Sequence, residues 1–196
     1  MERHEFENEV LDWLAEGMPR NPIPYVMLLS LPSGDLGKTL LANLRTVATR
    51  LRDRPDDWRS LIRANNWRPT LVGCSAVLLE RDTRFFADLL DRFLECSWVA
   101  PQLSVALGLI HADRVVADFE LILRESTVST HVKRTFSAYA VLKRLEPVSV
   151  PEFESSELFR GVQGESPEFL QARSESRIAL DVVQSQWNFW ISHYQE

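Results

Sequence analysis

The chain has 196 residues, 45% hydrophobic and 26% charged, with a formal net charge of −6 and a pI near 5.3. That length holds one domain with a sizeable core. The acidic balance argues against general binding to nucleic acid or anionic membranes, and the longest nearly uncharged run, Asn21 to Gly34, is broken by prolines and too short to span a bilayer.

Met1 to Glu5 shows no basic stretch leading into a long apolar run, so no signal peptide is read and a cytoplasmic location is expected. Phe6, Val10, Trp13 and Leu14 recur at helical spacing and predict a short amphipathic helix over 3–16, stopped by Gly17 and Pro19. Tyr25 to Leu31 is an apolar run compatible with a buried helix or a strand. Leu36, Leu40, Leu44, Val47 and Leu51 predict a helix over about 35–53 whose outer face carries Lys38, Arg45, Arg50 and Arg52.

From Asp57 a repeat takes over. Asn66-Trp67 with Pro69, and Ser97-Trp98 with Pro101, each lead into an apolar run studded with small residues, at an offset of 31. Proline suits a first helical turn, where its missing N–H has no intrahelical partner. Arg84 to Asp88 parallels Arg114 to Asp118 at an offset of 30. At an offset of 32, Leu71 aligns with Leu103 and Thr135, Cys74 with Ala106 and Ala138, and Leu78 with Ile110 and Leu142. Three helical hairpins over 57–145 are therefore expected, each covering its apolar face against its neighbours. Cys74 and Cys96, the only cysteines, sit in apolar helical contexts that suit reduced thiols in packing roles.

This pattern resembles HEAT-like repeats. The resemblance implies an all-α fold: a right-handed α-solenoid with helices over 1–56, the repeats over 57–145, an acidic loop over 146–176 and a capping helix over 177–196, all in one domain. In the loop, one helical turn is expected near Ser156 to Arg160, and the final helix could begin at Ser166-Pro167, a cap and first-turn pair.

Chemical motifs are sparse. Pro32-Ser33-Gly34-Asp35-Leu36-Gly37-Lys38-Thr39 mimics a phosphate-binding loop. Pro32 stands where the first glycine belongs, no later strand ends in a magnesium-binding Asp, and no parallel sheet is expected. A turn capped by Ser33 or Asp35 is the better reading. Arg45, Arg50, Arg52, Arg54, Arg59, Arg63 and Arg68, with Trp58 and Trp67 interleaved, form a basic band. HEAT-like alkylpurine DNA glycosylases have such a build. Asp53, Asp56 and Asp57 interrupt the band, so an ion-paired face is expected and nucleic-acid binding is the alternative. His4, His111, His131 and His193 show no ligand spacing. No catalytic set, metal site or cofactor motif is read.

The acidic stretch carries the partner expectation. Between Glu146 and Asp181 stand eight acids and three bases, a balance of −5 in 36 residues. Glu152, Phe153, Glu154, Glu157, Phe159, Glu165 and Glu168 are the candidate partner-binding residues, charges steering a basic protein and rings anchoring it. Small, acidic helical-repeat proteins lacking a catalytic set are similar to bacterial immunity proteins. That resemblance implies a non-enzymatic chain that occludes the active site of a basic-surfaced toxin domain, with no small-molecule substrate and no membrane.

Overall fold

The computed structural model describes residues 3–19, 23–32, 34–95, 98–127, 129–146 and 150–195. Among them all regular structure is helical, with no strand. The chain divides into two compact units, Met1–Arg92 and Phe93–Glu196.

The first unit holds α1 (Arg3–Ala15), α2 (Pro24–Ser30), α3 (Gly34–Leu51), α4 (Pro55–Ile62) and α5 (Trp67–Glu80), followed by a 3-10 turn at Thr83–Phe85 that opens α6 (Phe86–Leu94). Its centre is α5, against which α1, α2, α3 and α4 all pack. The reason is compositional: every residue from Pro69 to Leu78 is buried, so α5 has no polar face to give to water. Asn66 starts it, its side-chain carbonyl accepting from the Arg68 N–H at 3.1 Å, and Arg81 ends it in the left-handed region at φ 52°. Leu40, Leu44, Val47 and Leu51 form the buried stripe of α3, each side chain contributing about 1.5–3 kcal/mol of transfer free energy. The ambiguous run at Tyr25 resolves as helix α2, opened by Pro24 and closed by Leu31 at φ 48°.

The second unit holds α7 (Ala100–Ile110), α8 (Ala112–Arg124), α9 (Val132–Leu145), α10 (Pro151–Glu154), α11 (Glu157–Gln163), a 3-10 turn at Pro167–Phe169, and α12 (Leu170–Gln195). Here α9 is central and touches α7, α8 and α12, while α12 also lies on α7. A Cβ at Gly108 would fall 2.7 Å from Val141 and 3.0 Å from the Trp187 ring, so the missing side chain is what lets α7, α9 and α12 meet.

Helices α4 to α9 occupy the stretch 57–145 where the sequence expects helices. Leu71, Leu103, Thr135, Cys74, Ala106, Ala138, Leu78 and Leu142 are all buried. Two expectations change. The segment 146–176, read as loop, carries α10, α11, the 3-10 turn and the start of α12, because Pro151 and Pro167 open helical turns instead of breaking them and Ser156 caps α11 by accepting from the Phe159 N–H at 3.1 Å. The final helix expected from Ser166-Pro167 is there, the 3-10 turn at Pro167–Phe169 running into α12 at Leu170, so the boundary at 177 falls inside the helix. Trp67 is the first residue of α5 and packs edge-on to Tyr25, whereas its repeat counterpart Trp98 precedes α7 and is 79% exposed. Cys96, Ser97 and Ser33 lie outside the described residues.

The mimic of a phosphate-binding loop is a helix start. Gly34 to Thr39 lies inside α3, and a Cβ at Gly37 would run into the Pro32 carbonyl oxygen. The Thr39 hydroxyl donates to the Asp35 carbonyl at 3.0 Å. The first turn of α3 therefore closes on Pro32 where a nucleotide loop would open.

Candidate partner-binding site

Four rings organise the acidic segment. Phe136 and Tyr139 project from α9, Phe153 from α10 and Phe159 from α11, and every pair among them lies within 5.4–6.1 Å between centroids. Phe136 and Phe159 stack at 15°, and the other pairs are tilted or edge-on. Such pairs contribute about 0.5–1.5 kcal/mol beyond their buried area. Phe153 is only 3% exposed and Phe159 half-buried, so the rings expected to anchor a partner instead fasten α10 and α11 to α9. Short helices with one apolar face lower their free energy by covering it at home.

A polar clamp closes the edge of this cluster. The Tyr139 hydroxyl donates to Glu154 Oε1 at 2.5 Å, and Lys143 Nζ donates to the Tyr139 hydroxyl at 2.8 Å and to the same Glu154 oxygen at 2.9 Å. These bonds, the Tyr139 hydroxyl foremost, hold the Glu154 carboxyl below its usual range. Burial and the Glu154 contact raise Tyr139, and the Tyr139 hydroxyl raises Lys143. Glu154, expected as a steering charge, is thus engaged within the protein. Tyr139 and Lys143 went unnoticed in the sequence, although their spacing of four on a helix was the available signal.

Beside the cluster opens a concavity of about 610 Å³. The end of α8 supplies Glu120, Leu123 and Arg124, with Ser126 just beyond, and α10 with its exit supplies Pro151, Glu152, Phe153, Ser155 and Ser156. Of the candidate carboxylates, Glu152 lines this concavity and Glu157, Glu165 and Glu168 are exposed along the following turns, Glu168 accepting from the Ser166 hydroxyl at 3.0 Å. Glu120 and Arg124 were missed, since they lie some thirty residues upstream and only tertiary contact between α8 and α10 brings them in.

The arginine band of the first unit is engaged throughout. Arg63 meets the buried Asp88 at 2.8 Å and Asp91 at 2.9 Å, Arg59 meets Asp56 at 2.9 Å and Asp88 at 3.6 Å, and Arg54 meets Asp57 at 2.5 Å. Arg52 lies 3.8 Å from Glu80, Arg50 sits over the Trp13 ring at 4.7 Å, and Arg68 lies 5.2 Å from the rings of Tyr25 and Trp67. Trp58 is buried, donates to the Leu51 carbonyl at 2.7 Å and stacks on Phe85.

Among the described residues, no group of three or more His, Cys, Asp or Glu gathers at metal-binding distance. Burial pushes the Cys74 thiol up to about 12, which keeps it protonated and unreactive at neutral pH. No helix is long and apolar enough to cross a membrane. Comparison with protein-family models, with curated proteins and with solved structures finds no match to this chain.

Proposed function

We propose that the chain is a non-enzymatic protein-binding module built as a right-handed HEAT-like solenoid, and in particular a bacterial immunity protein that occludes the active site of a cognate toxin. The solenoid reading rests on the period of 30–32 residues and on α7 lying against α9 with the equivalent positions Leu103 and Thr135 both buried.

One observation carries the binding reading: the exposed carboxylates Glu152 and Glu157 ride on α10 and α11, whose rings and Glu154 clamp fasten them to α9, and the exposed Glu165 and Glu168 follow directly along the chain. A charged surface already held in place loses little conformational entropy on binding, and its field accelerates encounter with a basic partner.

The test is co-production with toxin domains encoded beside the chain. Restored growth and a co-purifying complex are expected, and the Glu152→Lys/Glu157→Lys double variant should associate about tenfold more slowly with a shallower salt dependence. Growth unrescued by any adjacent product removes the immunity reading, and association rates indifferent to salt and to both substitutions remove the acidic surface from it.

A further inference from the structure

The concavity between α8 and α10 carries two opposite charges that no other described residue matches. Glu152 and Arg124 both line it, and neither forms an ion pair or hydrogen bond with the other or with any other described residue. This sets them apart from their surroundings. Glu154 is clamped by Tyr139 and Lys143, and Glu120 on the same wall already has an interaction within the protein. The hydroxyls of Ser126 and Ser155 donate to the backbone carbonyls of Leu123 and Pro151, and that of Ser156 accepts from Phe159. Glu152 and Arg124 are therefore the lining charges that have no partner among the described residues.

Leu123 and Phe153 lie beneath them, 5% and 3% exposed, which makes the floor apolar and already packed. The volume of about 610 Å³ lies within the usual range of ligand sites, roughly 300–1,000 Å³, and admits a short peptide segment. A singly charged occupant would satisfy one wall and crowd the other with like charge. A segment bearing one basic and one acidic side chain satisfies both.

We propose that this concavity seats a mixed-charge segment of a protein partner, its basic side chain meeting Glu152 and its acidic side chain meeting Arg124. The proposal rests on the protein-binding reading and names the feature a partner must present. A guanidinium on Glu152 can form a two-toothed contact, and a carboxylate on Arg124 the reciprocal one, so the pair fixes the direction of the docked segment. Neither group alone would do so.

The experiment uses the full chain, isotope-labelled, titrated with capped Arg-Glu, Arg-Ala-Glu and Arg-Ala-Ala-Glu peptides, and with controls in which Arg or Glu is replaced by Gln. At least one spacing should shift the backbone amides of both 120–126 and 151–155, with binding about tenfold weaker for either control. Glu152→Gln and Arg124→Gln should each bring the matching peptide down to the level of its control, and the Arg124→Glu/Glu152→Arg swap should favour the reversed peptide. Both side chains lie outside the core, so these variants stay folded, which the unchanged remainder of the spectrum verifies. Controls that bind as well as the mixed-charge peptides, or shifts that avoid these two stretches, overturn the proposal. Peptide binding without growth rescue keeps the seat and removes the immunity reading. Rescue by an Arg124→Gln/Glu152→Gln variant, with no peptide shifts in the parent, does the reverse.

Discussion

At the scale of single residues, the clamp of Tyr139, Lys143 and Glu154 links chemistry to stability most directly. Tyr139→Phe removes a hydroxyl that bonds both partners, and a loss of about 1–2 kcal/mol is expected in denaturant melts. The pH dependence has a definite sign. The folded Glu154 carboxyl titrates below its usual 4.5, so its contribution is complete above that value and is lost as pH falls through the depressed one. Tyr139 and Lys143 are raised above their usual 10.0 and 10.5, so their share is present below those values and fades as pH rises through the raised ones. A thermal-melt series below pH 5 should show a steeper decline for the parent than for Glu154→Gln, and parallel curves would contradict the clamp. Cys74 belongs at this scale too. With its thiol pushed up to about 12 inside α5, alkylation at neutral pH should require unfolding, and mass spectrometry at increasing urea reads it.

At the scale of elements, α10 and α11 exist because their rings lie on α9. Phe153→Ala should therefore cost about 3–5 kcal/mol, as core truncations do, while Glu157→Lys, which only reverses an exposed charge in the first turn of α11, should cost about 1 kcal/mol. Equal small losses from both would return Phe153 to a partner-facing role. Gly108→Ala sets two effects against each other. Alanine favours helix by up to about 1 kcal/mol, yet its methyl would press on Val141 and Trp187, and overpacking costs about 1–3 kcal/mol. Net destabilisation is expected, because both neighbours belong to helices held by further contacts.

At the scale of the molecule, charge is sorted by region. Arg52, Arg54, Arg59 and Arg63 of the first unit are met by Asp56, Asp57, Asp88, Asp91 and Glu80, and Arg50 and Arg68 cover rings, whereas the acids of 146–181 outnumber their bases by five. A gel-shift titration with duplex DNA at low salt should show no retention, since phosphates would have to displace short intramolecular pairs. Salt-sensitive retention would favour the nucleic-acid alternative. The sequence by itself determined the helical class and most helix positions, because apolar periodicity and proline placement are local signals that survive any packing arrangement. The same letters did not show that Phe153 and Phe159 pack on Phe136 and Tyr139, or that Arg124 lines one concavity with Glu152. Whether an amphipathic turn shows its aromatic side to water or to a distant helix depends on what that helix offers, and Phe136 and Tyr139 lie 14 to 23 residues upstream of the two rings. Only the tertiary structure decided that, because the ring packing of α10 and α11 on α9 and the Lys143–Glu154 pair are contacts through space, with no period along the chain to announce them.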